Sequence, residues 1–147
     1  MDASVLLDSV ILIDHFNDID KATDYLRSVR TEAVLSVVTR AEVLVGFESE
    51  EARRRGIALL NHFACLPIIL EIADRAAALQ CEHGWRLPDA FQAALAQEHG
   101  LSLSTRNTRD FDAEAHPFVT VPPRSEAAAE APLASPWPRQ IEKGRTR

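Results

Sequence analysis

Four carboxylates carry the chemistry this sequence can offer: Asp8 in "VLLDSVILID", Glu42 in "TRAEVLVGF", Asp89 in "LPDAFQAALA" and Asp110 in "LSTRNTRDF". Each has an ordinary structural reading. Asp8 suits a turn at a strand's end, Glu42 the far side of a Thr39–Glu42 capping box, Asp89 the dipole of a helix's first turn, and Asp110 a loop or cap. If the four meet, those readings no longer suffice. Clustered carboxylates repel one another, at a cost in stability, unless cations or raised pKa values compensate. Oxygen-only ligands suit Mg²⁺ or Mn²⁺ rather than zinc. One or two such ions activate water and neutralise charge on a phosphodiester cut in line, which removes the need for a His or Lys base.

Whether the acids meet depends on the elements that carry them. Ser4 to Leu7 reads as a short buried strand and Asp18 to Arg30 as a helix with Ile19, Ala22, Leu26 and Val29 near helical spacing. Ala33 to Leu35 reads as a second strand. Ser36 or Thr39 then caps a helix to about Phe47, and Ser49 opens another to about Phe63. Leu66 to Leu70 is ambiguous, with Pro67 interrupting a short strand. Glu71 to His83 is helical, Pro88 starts a further helix, Leu101 to Ser104 is a strand, and Phe118 to Val121 is the last. Glu-His-Gly occurs at 82–84 and again at 98–100, each time closing a helical pattern with glycine at the left-handed cap and histidine in the last turn. Alternating strands and helices imply an α/β sandwich around a mostly parallel sheet. Loops that leave parallel strands emerge on one edge, where ligands bind. Asp8 ends a strand, Glu42 and Asp89 lie near the starts of helices at that edge, and Asp110 follows the 101–104 strand. All four converge there.

The bulk numbers bound the rest. With 147 residues, 46% of them apolar, and no repeat, the chain fits one domain able to bury a real core. No apolar run approaches a membrane span and no signal-type flank is seen, so a soluble, cytoplasmic protein is expected, with no membrane partner. Cys65 and Cys81, the two cysteines, lack ligand spacing and are expected as buried thiols. Of 16 basic and 22 acidic residues, 5 and 3 lie past residue 121, which leaves 11 against 19 and a net charge of −8 before it. An acidic body does not attract nucleic acid in bulk, so a polyanionic substrate needs metal ions or a local arginine cluster. Beyond Val121, five of the eight prolines, an Ala/Glu stretch and a basic end "EKGRTR" read as a flexible tail, 123–147.

"LLDSVILIDHF", "TRAEVLVGF", "LPDAFQAALA" and "LSTRNTRDF", in this order and spacing, resemble the PIN-domain ribonucleases, most closely the VapC-type toxins of type II toxin–antitoxin pairs. The resemblance covers about residues 3–122 and implies a PIN-like domain over 1–122. It implies a PIN-like α/β/α sandwich and Mg²⁺-dependent endonucleolytic cleavage of RNA, with Mn²⁺ able to substitute. It also implies Asp8, Glu42, Asp89 and Asp110 as catalytic metal ligands, and Ser9, Thr105 and Asn107 as polar residues that order the site. The family commonly reads Asp-Thr-Asn after the first strand, whereas this chain reads Asp8-Ser9-Val10, which keeps the hydroxyl and loses the amide. A VapB-type antitoxin and a homodimer are the partners the resemblance implies.

Arg40, Arg86, Arg106 and Arg109 flank the acids in sequence and are candidates for RNA phosphate contacts at the cleft rim. Arg53 to Arg55 read as a solvated helix face. A receiver domain would need a late lysine, and the body has Lys21 alone; a haloacid-dehalogenase phosphatase would need Asp-x-Asp, where Val10 stands. The remaining alternative is a PIN-like regulatory module that binds RNA or antitoxin without cutting.

Overall fold

The computed structural model describes residues 3–106, 111 and 115–121. Five short strands form one sheet: β1 (Val5–Leu7), β2 (Ala33–Ser36), β3 (Ala64–Leu66), β4 (Ser102–Ser104) and β5 (Val119–Thr120). Their order is β3-β2-β1-β4-β5, and every described pairing is parallel. Val5 and Leu6 of β1 pair with Ala33 and Val34 of β2, and Val5, Leu6 and Leu7 pair with Ser102, Leu103 and Ser104 of β4. The first strand is thus central, and its C-terminal end opens at the middle of the sheet edge. The mostly parallel sheet expected from the sequence is parallel throughout.

Six helices cover the two faces: α1 (Ser9–Phe16), α2 (Asp20–Val29), α3 (Val37–Val45), α4 (Glu50–Leu60), α5 (Leu70–His83) and α6 (Leu87–His99). Side chains alternate across β1, so Leu6 joins one core while Val5 and Leu7 join the other. Leu6, Val34 and Leu103 pack with Ile72, Ala76 and Leu79 of α5 and with Ala90, Ala93 and Leu95 of α6. Val5, Leu7 and Leu35 pack with Ile11, Leu12 and Ile13 of α1, Leu26 of α2, Val43 of α3 and Leu60 of α4. This is an α/β/α sandwich. The run of small residues Ala90, Ala93, Ala94 and Ala96, all fully buried, lets α6 lie close to both the sheet and α5.

Most elements fall where periodicity and caps place them. Ser49 caps α4 by accepting from the Ala52 amide, and Gly84 and Gly100 close α5 and α6 at φ 72° and 65°. Four local readings change, the first being the third strand: α4 ends at Leu60 and β3 occupies Ala64–Leu66, so Pro67 follows the strand instead of interrupting one over residues 66–70. α1 starts directly at Ser9, because Asp8 is its N-cap rather than only a turn at the end of the strand, and the apolar run 10–13 is helix. Ser36, not Thr39, caps α3: its Oγ accepts from the Thr39 amide at 3.0 Å. Glu42 therefore lies in the second turn, and a Thr39–Glu42 capping box does not form. Cys65 and Cys81 are exposed rather than buried, since β3 is an edge strand and Cys81 lies on the outer face of α5. Among the described residues, no helix is long and apolar enough to cross a membrane.

Candidate active site

Asp8 follows β1 at the sheet's C-terminal edge, and its backbone amide donates to the Ser104 carbonyl of β4 at 3.0 Å. Its side chain is buried, with 8% of the residue exposed, and held from three directions. Oδ1 accepts from the Ser9 amide at 2.8 Å and from Gln92 Nε2 at 3.4 Å; Oδ2 accepts from the Thr105 hydroxyl at 2.6 Å. Elements far apart in sequence thus fix one carboxylate, with α1, α6 and the segment after β4 each contributing a donor. The cap interaction and the site are the same geometry, so the structural and chemical readings of Asp8 coincide.

Glu42 on α3 and Asp89 in the first turn of α6 face the same place. The Glu42 carboxyl is pushed above its ordinary range, first by burial and then by the negative charge of Asp8. The Ser9 side chain pulls it back as a hydrogen-bonding neighbour, Asp89 pushes it up further, and Arg86 lowers it. Glu42 therefore feels both Asp8 and Asp89, as convergence at the edge requires. Asp89 is 7% exposed, and the Arg86 Nε sits 3.6 Å from its Oδ2. Arg86 itself is open to solvent.

The candidate arginines separate. Arg86 reaches the acids. Arg40 turns the other way and donates to Asn61 Oδ1 at 3.0 Å, on the α4 side. Arg106 is buried and ion-paired with Asp14 of α1, so the guanidinium faces the interior rather than the rim. Arg109 lies outside the described residues, as do Asp110 and Asn107. Of the ordering residues, Ser9 and Thr105 are buried at Asp8. Arg53, Arg54 and Arg55 are exposed on α4, as a solvated face requires.

Sequence reasoning missed the polar support beneath Asp8. Gln92 is 2% exposed, and its amide joins Ser36, Thr39 and Asp8. Its signal was a single polar residue, one helical turn after Asp89, within the apolar stretch "DAFQAALA". Asp14 was likewise missed as the partner of Arg106, and Tyr25 was missed as a buttress of β4 through its 2.6 Å hydrogen bond to Ser104 Oγ. A cavity of about 680 Å³ lies away from the acids, between the end of α1 and the start of α4, lined by His15, Phe16, Thr23, Phe47 and Arg55.

Among the described residues, the donor chemistry at the cleft suits a hard divalent cation: three carboxylates, with no thiolate or imidazole beside them. Among the described residues alone, no group of three His, Cys, Asp or Glu side chains is close enough to hold a metal ion.

Comparison with known proteins agrees with this architecture. The PIN domain family matches residues 5–116. Ribonuclease VapC10 of Mycobacterium tuberculosis is 34% identical over 114 residues, which span 73% of this chain and 85% of that protein. A toxin–antitoxin complex from Klebsiella pneumoniae contains a chain that superposes with a TM-score of 0.76 at 37% identity, covering 83% of this chain and all of that one. FitAcB from Neisseria gonorrhoeae shares the fold at a TM-score of 0.65 and 23% identity, over 81% of this chain and 96% of that one. With this match to the domain, and with Asp8, Glu42 and Asp89 brought to one edge of an all-parallel sheet, the chain belongs to the PIN-domain family, among its VapC-type members.

Proposed function

We propose that this protein is a divalent-metal-dependent endoribonuclease and the toxin of a toxin–antitoxin pair. The observation that carries the reading is electrostatic. Three carboxylates at the end of β1, on α3 and on α6 share one edge, burial first and then the charges of Asp8 and Asp89 raise the proton affinity of Glu42, and the positive side chain acting on Glu42 is the exposed Arg86. A fold does not hold acids together in this way for stability alone. Asp8, Glu42 and Asp89 would hold Mg²⁺, or Mn²⁺ in its place, with Asp110 completing the set. When bound, the ion supplies charge neutralisation and an activated water for in-line attack on a phosphodiester.

The chain's own residues do the rest. Thr105, Ser9 and Gln92 keep the Asp8 carboxylate in one orientation, which reduces reorganisation at the moment of reaction. Arg86 stands where a phosphate adjoining the scissile bond would displace it from Asp89, exchanging one anion for another. RNA as substrate rests on the ribonuclease similarity at 34% identity. An antitoxin of the VapB type as partner rests on the Klebsiella toxin–antitoxin complex at 37% identity. A homodimer and a cytoplasmic site of action complete the proposal.

The test is RNA cleavage by the purified chain, freed of antitoxin. Mg²⁺ or Mn²⁺ should support endonucleolytic products and EDTA should stop them. A chain that binds RNA equally well with and without Mg²⁺, yet never cuts it, would be the binding module instead.

A further inference from the structure

We propose that Gln92 is a positioning residue for Asp8, acting through a buried hydrogen-bond chain that runs from the α3 cap to the carboxylate. The proposal rests on reading the acidic cleft as a divalent-cation site. The chain starts at backbone. The Thr39 amide donates to Ser36 Oγ at 3.0 Å as the α3 cap, so the Ser36 hydroxyl proton is available to be donated onward. Gln92 Oε1 at 2.7 Å is a closer acceptor for it than Thr39 Oγ1 at 3.4 Å. The Asp8 carboxylate, which only accepts, orients the Gln92 amide: the carbonyl faces Ser36 and the NH₂ group faces Asp8. One of its protons goes to Thr39 Oγ1 at 2.6 Å. Thr39 can accept it because its own hydroxyl proton is directed to the Leu7 carbonyl at 3.2 Å. The second NH₂ proton points to Asp8 Oδ1 at 3.4 Å.

Ser36, Thr39 and Gln92 are all buried, at 0%, 0% and 2% exposure, so water does not compete for these bonds. In such surroundings a polar chain is costly unless complete, and this one is complete. Its consequence is stereochemical. A carboxylate offers about four lone-pair directions. On Asp8 the Ser9 amide and Gln92 take both directions of Oδ1, and Thr105 takes one of Oδ2. One direction of Oδ2 is left for a ligand. Gln92 thus makes Asp8 a one-oxygen donor and keeps Oδ1 from rotating into competition. The same side chain ties α6, which carries Asp89, to the start of α3, which carries Glu42. Asp89 and Gln92 lie one turn apart on α6, so the link sets the spacing of the acids as well as the orientation of Asp8.

The experiment is Mn²⁺ titration by calorimetry on the full chain, with thermal melting in the absence of metal as a parallel readout. Gln92→Leu removes the amide at similar volume, Thr39→Val removes the acceptor that holds it, and Thr39→Ser keeps that acceptor. Ile72→Val supplies a mild loss of core packing on α5 with no polar link to the site. Gln92→Leu and Thr39→Val should each weaken Mn²⁺ binding by roughly 10-fold or more, the size of effect that supporting residues show at metal sites. The double variant should be no weaker than the weaker single, since both break one chain. Thr39→Ser should restore binding, and Ile72→Val should lower the melting temperature while leaving the dissociation constant unchanged. If Gln92→Leu melts earlier but binds Mn²⁺ as the wild type does, Gln92 is a structural residue and this inference fails alone. If the wild type binds no Mn²⁺, the reading of the cleft fails and the inference falls with it.

Discussion

Asp8 joins two tasks in one side chain, since it caps α1 through the Ser9 amide and faces Glu42 and Asp89 across the cleft. Asparagine caps helices about as well as aspartate, so Asp8→Asn should leave the metal-free fold near wild-type stability. Its cleavage should fall further than the roughly 10- to 100-fold expected for loss of a supporting residue. Thermal melts beside an RNA assay check both halves. Glu42 gives the pH-dependent counterpart. Its carboxyl binds protons more tightly in the fold than in the unfolded chain, chiefly because it is buried beside Asp8. Ionising it therefore costs the fold stability as pH rises through the raised value. Glu42→Gln should melt above wild type at neutral pH in EDTA, and the difference should vanish below the ordinary glutamate value of 4.5. His15 has the opposite sign. Burial lowers its pKa below 6.5, Asp18 opposes that shift, and Arg27 adds to it. The unfolded chain then takes up the proton first, so stability should fall as pH drops through 6.5, and His15→Gln should flatten that slope in pH-resolved melts.

At the scale of elements, the α3 cap carries more than its helix. Ser36→Ala removes both the acceptor for the Thr39 amide and the donor to Gln92, leaving a buried amide oxygen unpaired. The loss should be about 2 kcal/mol in denaturant unfolding, above that of an isolated cap. Which parts of this arrangement the sequence declares follows from how local each signal is. Gly84 and Gly100 after histidine, Ser49 before a helical run, and short apolar runs are local, and they place α4, α5, α6 and the strands other than β3, whose exposed edge position gives Ala64–Leu66 no buried apolar run. The convergence of Asp8, Glu42 and Asp89 was also legible, because parallel topology alone brings strand ends and helix starts to one edge. The α1 helix was not, since "SVILIDHF" has no polar face whose period would show it; Val10 to Ile13 are apolar in sequence because both sides of α1 are covered. Nor could sequence order Arg40, Arg86 and Arg106. Arg86 reaches Asp89 whereas Arg40 pairs with Asn61 and Arg106 with Asp14, and a side chain's direction from its helix or loop depends on such neighbours, which lie far along the chain.

For the whole molecule, the core formed by the described residues runs from Val5 to Val119 and packs on both faces of the sheet. A chain truncated after Val121 should therefore keep a single cooperative melt and most of its cleavage activity; aggregation or a broad, early transition would show that residues 122–147 belong to the fold. The acidic body and the cleft make one further demand together. With 19 acidic against 11 basic residues up to position 121, an RNA substrate would approach a surface of its own sign, and the cations proposed to neutralise the cleft would link stability to activity. The most direct measurement is the melting temperature of wild type and Asp89→Asn across a Mg²⁺ titration, with RNA cleavage followed in the same samples. Wild type should gain about 2.7 kcal/mol when Mg²⁺ reaches 100 times its dissociation constant, with cleavage rising over the same range. Asp89→Asn should lose most of that gain and its activity, while melting in EDTA at or slightly above wild type. An Asp89→Asn protein that melts well below wild type in EDTA, or a wild type that cleaves at full rate in chelator, would contradict the metal-centred account.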